Sequence, residues 1–181
     1  FKKVLVIGAD EISKMINWQD RNTCILFGDG AGAVVLGEVD APYGILGAFM
    51  GADGIGGELL KFPAGGTRMP ATEETVRQKL HSVHMEGNEV FKFAVRVMGE
   101  AAGKALEDAG LVESDIDWLI PHQANMRIIQ SAAKRLKMPM EKVIINLDRY
   151  GNTSSASIPL ALEEAVRDGR IQPGNIVMMV G

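Results

Sequence analysis

The 181 residues are 46% hydrophobic and 23% charged, a globular composition with enough chain for one good-sized core and too apolar for disorder. A formal charge of −4 argues against nucleic-acid binding, which draws most of its affinity from basic groups on phosphates. The single cysteine, Cys24, has no internal disulfide partner and fits a reducing, cytoplasmic compartment. Apolar runs such as Ile176 to Val180 are far shorter than the ~20 residues that span a bilayer. The chain opens on an apolar run without a methionine and stops just after another, so both ends are expected to be cuts.

Val4 to Ile7, closed by Gly8, reads as a buried strand with both faces covered. Thr23 to Phe27 and Ala33 to Val39 read as two further strands joined by the turn Gly28-Asp29-Gly30-Ala31-Gly32, and Tyr43 to Asp53 as another strand-like run. A loop rich in Gly and Pro follows to about Pro70. From Asn88 to Ala109, Phe91, Val95, Met98, Ala102 and Leu106 recur at three- and four-residue intervals, the stripe of an amphipathic helix that Gly110 ends. Strand Ile116 to Ile120, helix Met126 to Leu136, strand Val143 to Ile145, helix Ser157 to Val166 and strand Ile176 to Val180 complete the chain. Alternating strands and helices imply a layered α/β fold with a parallel or mixed sheet.

The glycine-rich run invites comparison with a dinucleotide fingerprint. That motif needs a helix after it to hold the pyrophosphate, whereas Val34 to Val39 reads as strand, so a structural turn is expected. Cys24 lacks a neighbouring base or helix start to make it nucleophilic and is read as a core thiol. His122 differs from His81 and His84, which carry no functional signal: it follows an apolar strand and Pro121 and precedes a helix, and sites collect at the carboxyl ends of strands. Asn152, in Tyr150-Gly151-Asn152-Thr153-Ser154-Ser155-Ala156-Ser157, has a similar setting, although an N-cap beside a glycine turn is the plain alternative. Together the two side chains could donate to one carbonyl oxygen and stabilise a developing enolate or oxyanion.

Pro121-His122-Gln123-Ala124-Asn125 and Asp148-Arg149-Tyr150-Gly151-Asn152-Thr153-Ser154, with Asp20-Arg21 and Phe27-Gly28-Asp29-Gly30-Ala31-Gly32-Ala33 upstream, resemble in collinear order the hallmark segments of the β-ketoacyl-acyl-carrier-protein synthase III family. The resemblance implies a thiolase-like layered α/β/α fold. Residues 1–40 would end its first half, and residues 41–181 would form its second half, truncated before a closing glycine-rich loop. It implies a Claisen condensation of acyl-CoA with malonyl-acyl-carrier protein, with the nucleophilic cysteine outside this chain and His122 and Asn152 holding the malonyl thioester carbonyl. No cofactor or metal is implied, and coenzyme A enters as part of a substrate. Arg21 resembles the residue that packs on the adenine, and Met85, Gly87, Phe91, Ala124, Asn125 and Ile128 resemble positions around the pantetheine arm, with plain core the alternative for Phe91 and Ile128. A missing N-terminal half and a homodimer in the complete enzyme are implied as well.

The helix after His122 adds an independent clue. Arg127 and Lys134 share a face, Arg135 and Lys137 lie nearby, and no acidic residue occurs from Asn125 to Lys137. In an acidic chain such a patch would steer an acidic partner. The family's carrier protein is acidic, so Gln123 to Arg127 with Lys92, Lys134 and Arg135 form the expected dock. Two other readings stand beside the first: a secondary-metabolite synthase III homologue, and a non-catalytic piece that binds only coenzyme A or carrier protein.

Overall fold

The computed structural model describes residues 1–181. In chain order the elements are β1 (Lys3–Glu11), α1 (Arg21–Cys24), β2 (Asp29–Gly37), β3 (Leu60–Lys61), α2 (Glu73–Arg77), β4 (His84–Met85), α3 (Gly87–Ala109), β5 (Trp118–Pro121), α4 (Met126–Arg135), α5 (Leu147–Tyr150), α6 (Ser157–Arg167) and β6 (Val177–Val180). β1 pairs antiparallel with β2 from Lys3↔Gly37 to Glu11↔Asp29, β3 pairs antiparallel with β4, and β5 runs parallel to β6 with Leu119 opposite Met178.

The β5–β6 pair is the centre of a three-layer unit, because alternate strand residues face opposite ways. Leu119, Met178 and Val180 pack with Met98, Ala102 and Leu106 of α3 and with Ile128, Ile129, Ala132 and Ala133 of α4. Ile120 turns to the other side and packs with Ile144 and with Ala161 and Ala165 of α6. The expected stripe on α3 is thus the face that meets the sheet, and Gly110, at φ 67°, ends the helix in the left-handed conformation that glycine adopts without strain.

Four expectations need correction. Thr23 to Phe27 is not a strand: the Asp20 carboxylate accepts from the Asn22 N–H and the Thr23 hydroxyl and starts the short helix α1, on which Cys24 is half-buried. Local capping outweighs β propensity there. Gly30 and Gly32 do not form a turn but lie inside β2, where alternate residues Gly30, Gly32 and Val34 face inward. Glycine is needed for close approach: a Cβ on Gly32 would stand 2.8 Å from Pro159 Cβ of α6. Tyr43 to Asp53 is irregular and lies along α3, held by the Ala48 N–H to the Asp108 carboxylate at 3.0 Å and by Lys104 over the Phe49 ring. Apolar content alone does not make a strand without a ladder partner. Val143 to Ile145 contributes a single parallel bridge to Leu119, because the Gln123 side chain takes the Ile144 carbonyl.

The β1–β2 hairpin also departs from expectation. Its apolar residues are not covered on both faces: Leu5 is 60%, Ile7 62% and Val35 66% exposed.

Candidate active site

His122 continues directly from β5, and its backbone N–H donates to the Val180 carbonyl at 2.7 Å. That bond prolongs the parallel ladder by one residue and sets the imidazole at the carboxyl end of both strands. The ring is largely buried, and desolvation holds its pKa below the usual 6.5, so it is neutral at neutral pH. Its Nδ1 meets the Ser157 hydroxyl at 2.6 Å.

Asn152 is placed by the opposite part of the chain. α5 ends at Gly151, whose φ of 67° turns the backbone sharply, and Asn152 then forms a parallel bridge with Phe27. Its N–H donates to Leu26 O and its carbonyl accepts from Gly28 N–H, each at 2.9 Å. The side-chain Oδ1 accepts from the Ser154 N–H at 2.9 Å, which leaves the Nδ2 amide as a donor without a protein partner. A neutral imidazole and a free amide N–H₂ therefore line one cleft of about 1160 Å³, whose wall also includes Leu26, Phe27 and Gly181.

Of the other expected site residues, Met85, Gly87 and Phe91 line the cleft from β4 and α3, and Ala124, Asn125 and Ile128 line it from the start of α4. Asn125 also caps α4 by accepting from the Arg127 N–H at 2.9 Å. Ile128 is 6% exposed and belongs to the core as well. Arg21 stands exposed at the start of α1, beside the lining residue Asn22. Cys24 is not part of the lining.

The expected docking surface is only partly assembled. Arg127 reaches the cleft rim with its guanidinium 4.8 Å from the centre of the Phe91 ring. Lys134 is exposed, Lys92 pairs with Glu89 at 2.6 Å, and Arg135 donates to the Val95 and Arg96 carbonyls of α3. Gln123 cannot belong to a dock, because it is fully buried: its Nε2 donates to Pro121 O and Ile144 O and its Oε1 accepts from Asn146 N–H.

Gln123 instead begins a network that sequence reasoning missed. Asn146 donates to Glu164, which also accepts from Arg149 and from the Tyr150 hydroxyl, each at 2.6 Å. Burial pushes the Glu164 carboxyl pKa up, but the hydrogen bonds from Tyr150, Asn146 and Arg149 with the Arg149 charge outweigh it and hold the group below the ordinary 4.5. The network ties the segment after His122 to α5 and thus to the turn that presents Asn152. Ser157 was missed too, since a serine five residues after Asn152 carries no sequence signal for a contact 35 residues back.

Sequence profiles of one family match both ends of the chain: 3-oxoacyl-[acyl-carrier-protein (ACP)] synthase III over residues 1–54 and its C-terminal part over residues 106–181. The chain belongs to the synthase III family. It is 61% identical over 180 residues to a beta-ketoacyl-[acyl-carrier-protein] synthase III of Caldanaerobacter subterraneus, covering 99% of this chain and 54% of that protein. It is 56% identical over 181 residues to the Clostridioides difficile protein of the same name, covering all of this chain and 55% of that one. The synthase III crystal structure from Thermus thermophilus aligns with a TM-score of 0.87 at 48% identity, covering 98% of this chain and 54% of that one. The Aquifex aeolicus structure gives 0.85 at 44%, covering 98% and 53%. The fold is therefore the thiolase-like α/β fold of these synthases, and the chain spans about half the length of the curated relatives it matches.

Proposed function

We propose that this chain supplies the decarboxylation half-site of an acyltransferase that initiates fatty acid synthesis, in which acyl-CoA and malonyl-acyl-carrier protein give 3-oxoacyl-acyl-carrier protein, coenzyme A and carbon dioxide. The observation that carries the reading is the pair of donors in one cleft, a neutral His122 and the unpaired Nδ2 of Asn152. Both would donate to the malonyl thioester oxygen. As the carboxylate leaves as carbon dioxide, its bonding electrons pass to the α-carbon and the oxygen becomes enolate-like, so the same two bonds strengthen as charge develops. The carbanion then attacks an acyl thioester on a cysteine outside residues 1–181.

The wall formed by Met85, Gly87, Phe91, Ala124, Asn125 and Ile128 is suited to a narrow, largely apolar arm and is read as the pantetheine channel, with Arg21 at its outer end for the adenine. Arg127 and Lys134, with Lys92 and Arg135, remain the reading for the acidic carrier protein. A boundary near residue 40 between two thiolase-like halves is supported by the end of β2 at Gly37. The complete enzyme is read as a cytoplasmic homodimer without a cofactor; no helix here is long and apolar enough to cross a membrane. A second reading is favoured by a specific likeness: the priming β-ketosynthase of the R1128 polyketide pathway aligns at 36% identity and a TM-score of 0.82. A panel of acyl-CoA primers with malonyl-carrier protein separates the two. Condensation that iodoacetamide abolishes supports the enzyme, and its complete absence from protein carrying both this chain and its cysteine-bearing complement overturns it.

A further inference from the structure

Ser157 opens α6 and is 2% exposed, too little to be served by bulk water. Its hydroxyl makes one hydrogen bond, to His122 Nδ1 at 2.6 Å. A neutral imidazole carries a single N–H, and the two tautomers make different demands on this serine. With the proton on Nδ1, Ser157 Oγ would accept, and its own proton would point into packed interior. The hydroxyl makes no hydrogen bond to the carbonyl one turn back, Thr153 O, so that oxygen does not take the proton. With Nδ1 bare, the serine proton goes to the ring and one bond satisfies both groups. An unpaired buried polar group costs about 1–3 kcal/mol, which favours the arrangement that pairs both.

We propose that Ser157 is a positioning residue that donates to His122 Nδ1 and thereby holds the imidazole as its Nε2–H tautomer, with that proton free for a ligand oxygen in the cleft. The inference deepens the proposed function and rests on His122 acting as a carbonyl donor. In the other tautomer Nε2 would present a lone pair to the thioester oxygen and repel it. The partial positive charge at the N-terminus of the eleven-residue helix α6 acts in the same direction, since it favours the bare Nδ1 lone pair over an N–H beside Ser157. The first turn of α6 lies close against the ends of β5 and β6, where a Cβ on Gly181 would stand 3.3 Å from His122 Cβ and 3.4 Å from Ile158 Cδ1.

The test is two-bond ¹H–¹⁵N correlation on ¹⁵N-histidine-labelled full-length protein carrying this chain, with His122→Gln used to distinguish His122 from His81 and His84. The expected wild-type spectrum has a pyrrole-type Nε2 and a pyridine-type Nδ1. Ser157→Ala should give a mixture of tautomers, and Ser157→Thr, which keeps the hydroxyl, should restore the wild-type pattern. Malonyl-thioester decarboxylation should fall roughly tenfold in kcat, with KM little changed, in Ser157→Ala, less than the roughly 100-fold or more for outright loss of a donor because the imidazole itself remains, and recover in Ser157→Thr. A pyrrole-type Nδ1 in wild type, or an unchanged tautomer in Ser157→Ala, overturns the inference. If Ser157→Ala does not fold, Ser157→Cys, which fills the site with a much weaker donor and should also give a tautomer mixture, takes its place, and an unchanged tautomer there overturns the inference equally. The predicted tautomer in a protein that never decarboxylates malonyl thioesters would support the Ser157 pairing and sink the functional reading instead.

Discussion

His122 and Asn152 acquire their chemistry from different surroundings. Burial keeps the imidazole neutral, whereas a single backbone N–H, that of Ser154, orients the asparagine amide. Replacing either by alanine removes a donor aimed at developing charge, so each should lower the condensation rate roughly 100-fold; steady-state kinetics with malonyl-carrier protein checks this. Because the folded pKa of His122 lies below 6.5, the native state binds fewer protons there than the unfolded chain. Its contribution to stability is complete above pH 6.5 and is lost as pH falls through the folded value. The acid limb of the rate profile should likewise be centred below 6.5, and a limb at or above that value would contradict the burial. At this scale the sequence was legible where a residue's setting is local: a histidine after an apolar strand and a proline is visible in the chain. Gln123 was misplaced for a physical reason. An amide beside a site suggests recognition, but only the three-dimensional neighbours Ile144 and Asn146 reveal that it satisfies buried backbone groups.

Among the elements, α5 and α6 act as a clasp. Glu164 on α6 receives bonds from Asn146, Arg149 and Tyr150, and the turn after α5 presents Asn152. Glu164→Ala would leave the buried Asn146 amide without this partner and should cost about 2 kcal/mol, read as a lower denaturation midpoint together with weakened condensation. The sign of the pH effect follows from a carboxyl held below its ordinary value. The stabilisation from Glu164 is full above about pH 4.5 and is lost as pH falls through the folded pKa, so the variant and wild type should converge in stability in acid. In β2, Gly32→Val would press on Pro159 and should destabilise by about 2 kcal/mol while displacing α6; calorimetry of the pair measures it. The long helices were the legible elements, because α3 and α4 carry their signal in a repeat of 3.6 residues, whereas the short α1, α2 and α5 have too few turns to show one. Strands with few neighbours were not: Tyr43 to Asp53 has the residues for one and lacks the partner.

For the molecule as a whole, the core lies around β5 and β6, and the hairpin of β1 and β2 leaves a row of large apolar side chains open, including Leu5, Ile7 and Val35. Exposed apolar strands of this kind associate. Residues 1–181 expressed alone should therefore self-associate or precipitate, and Leu5→Lys with Val35→Lys should shift the population toward monomer in sedimentation velocity. A stable, monodisperse preparation of the unaltered chain would contradict this. The order of apolar runs, the α3 stripe and the two strand-end segments were set by the sequence itself, since periodicity and backbone propensity act between near neighbours. Three things were decided only by the tertiary structure: that Gly32 belongs inside a strand, that Gln123 is buried, and that Ser157 reaches His122. Each depends on a contact between residues more than twenty positions apart, and the energy of such a contact exists only once packing has excluded water from it.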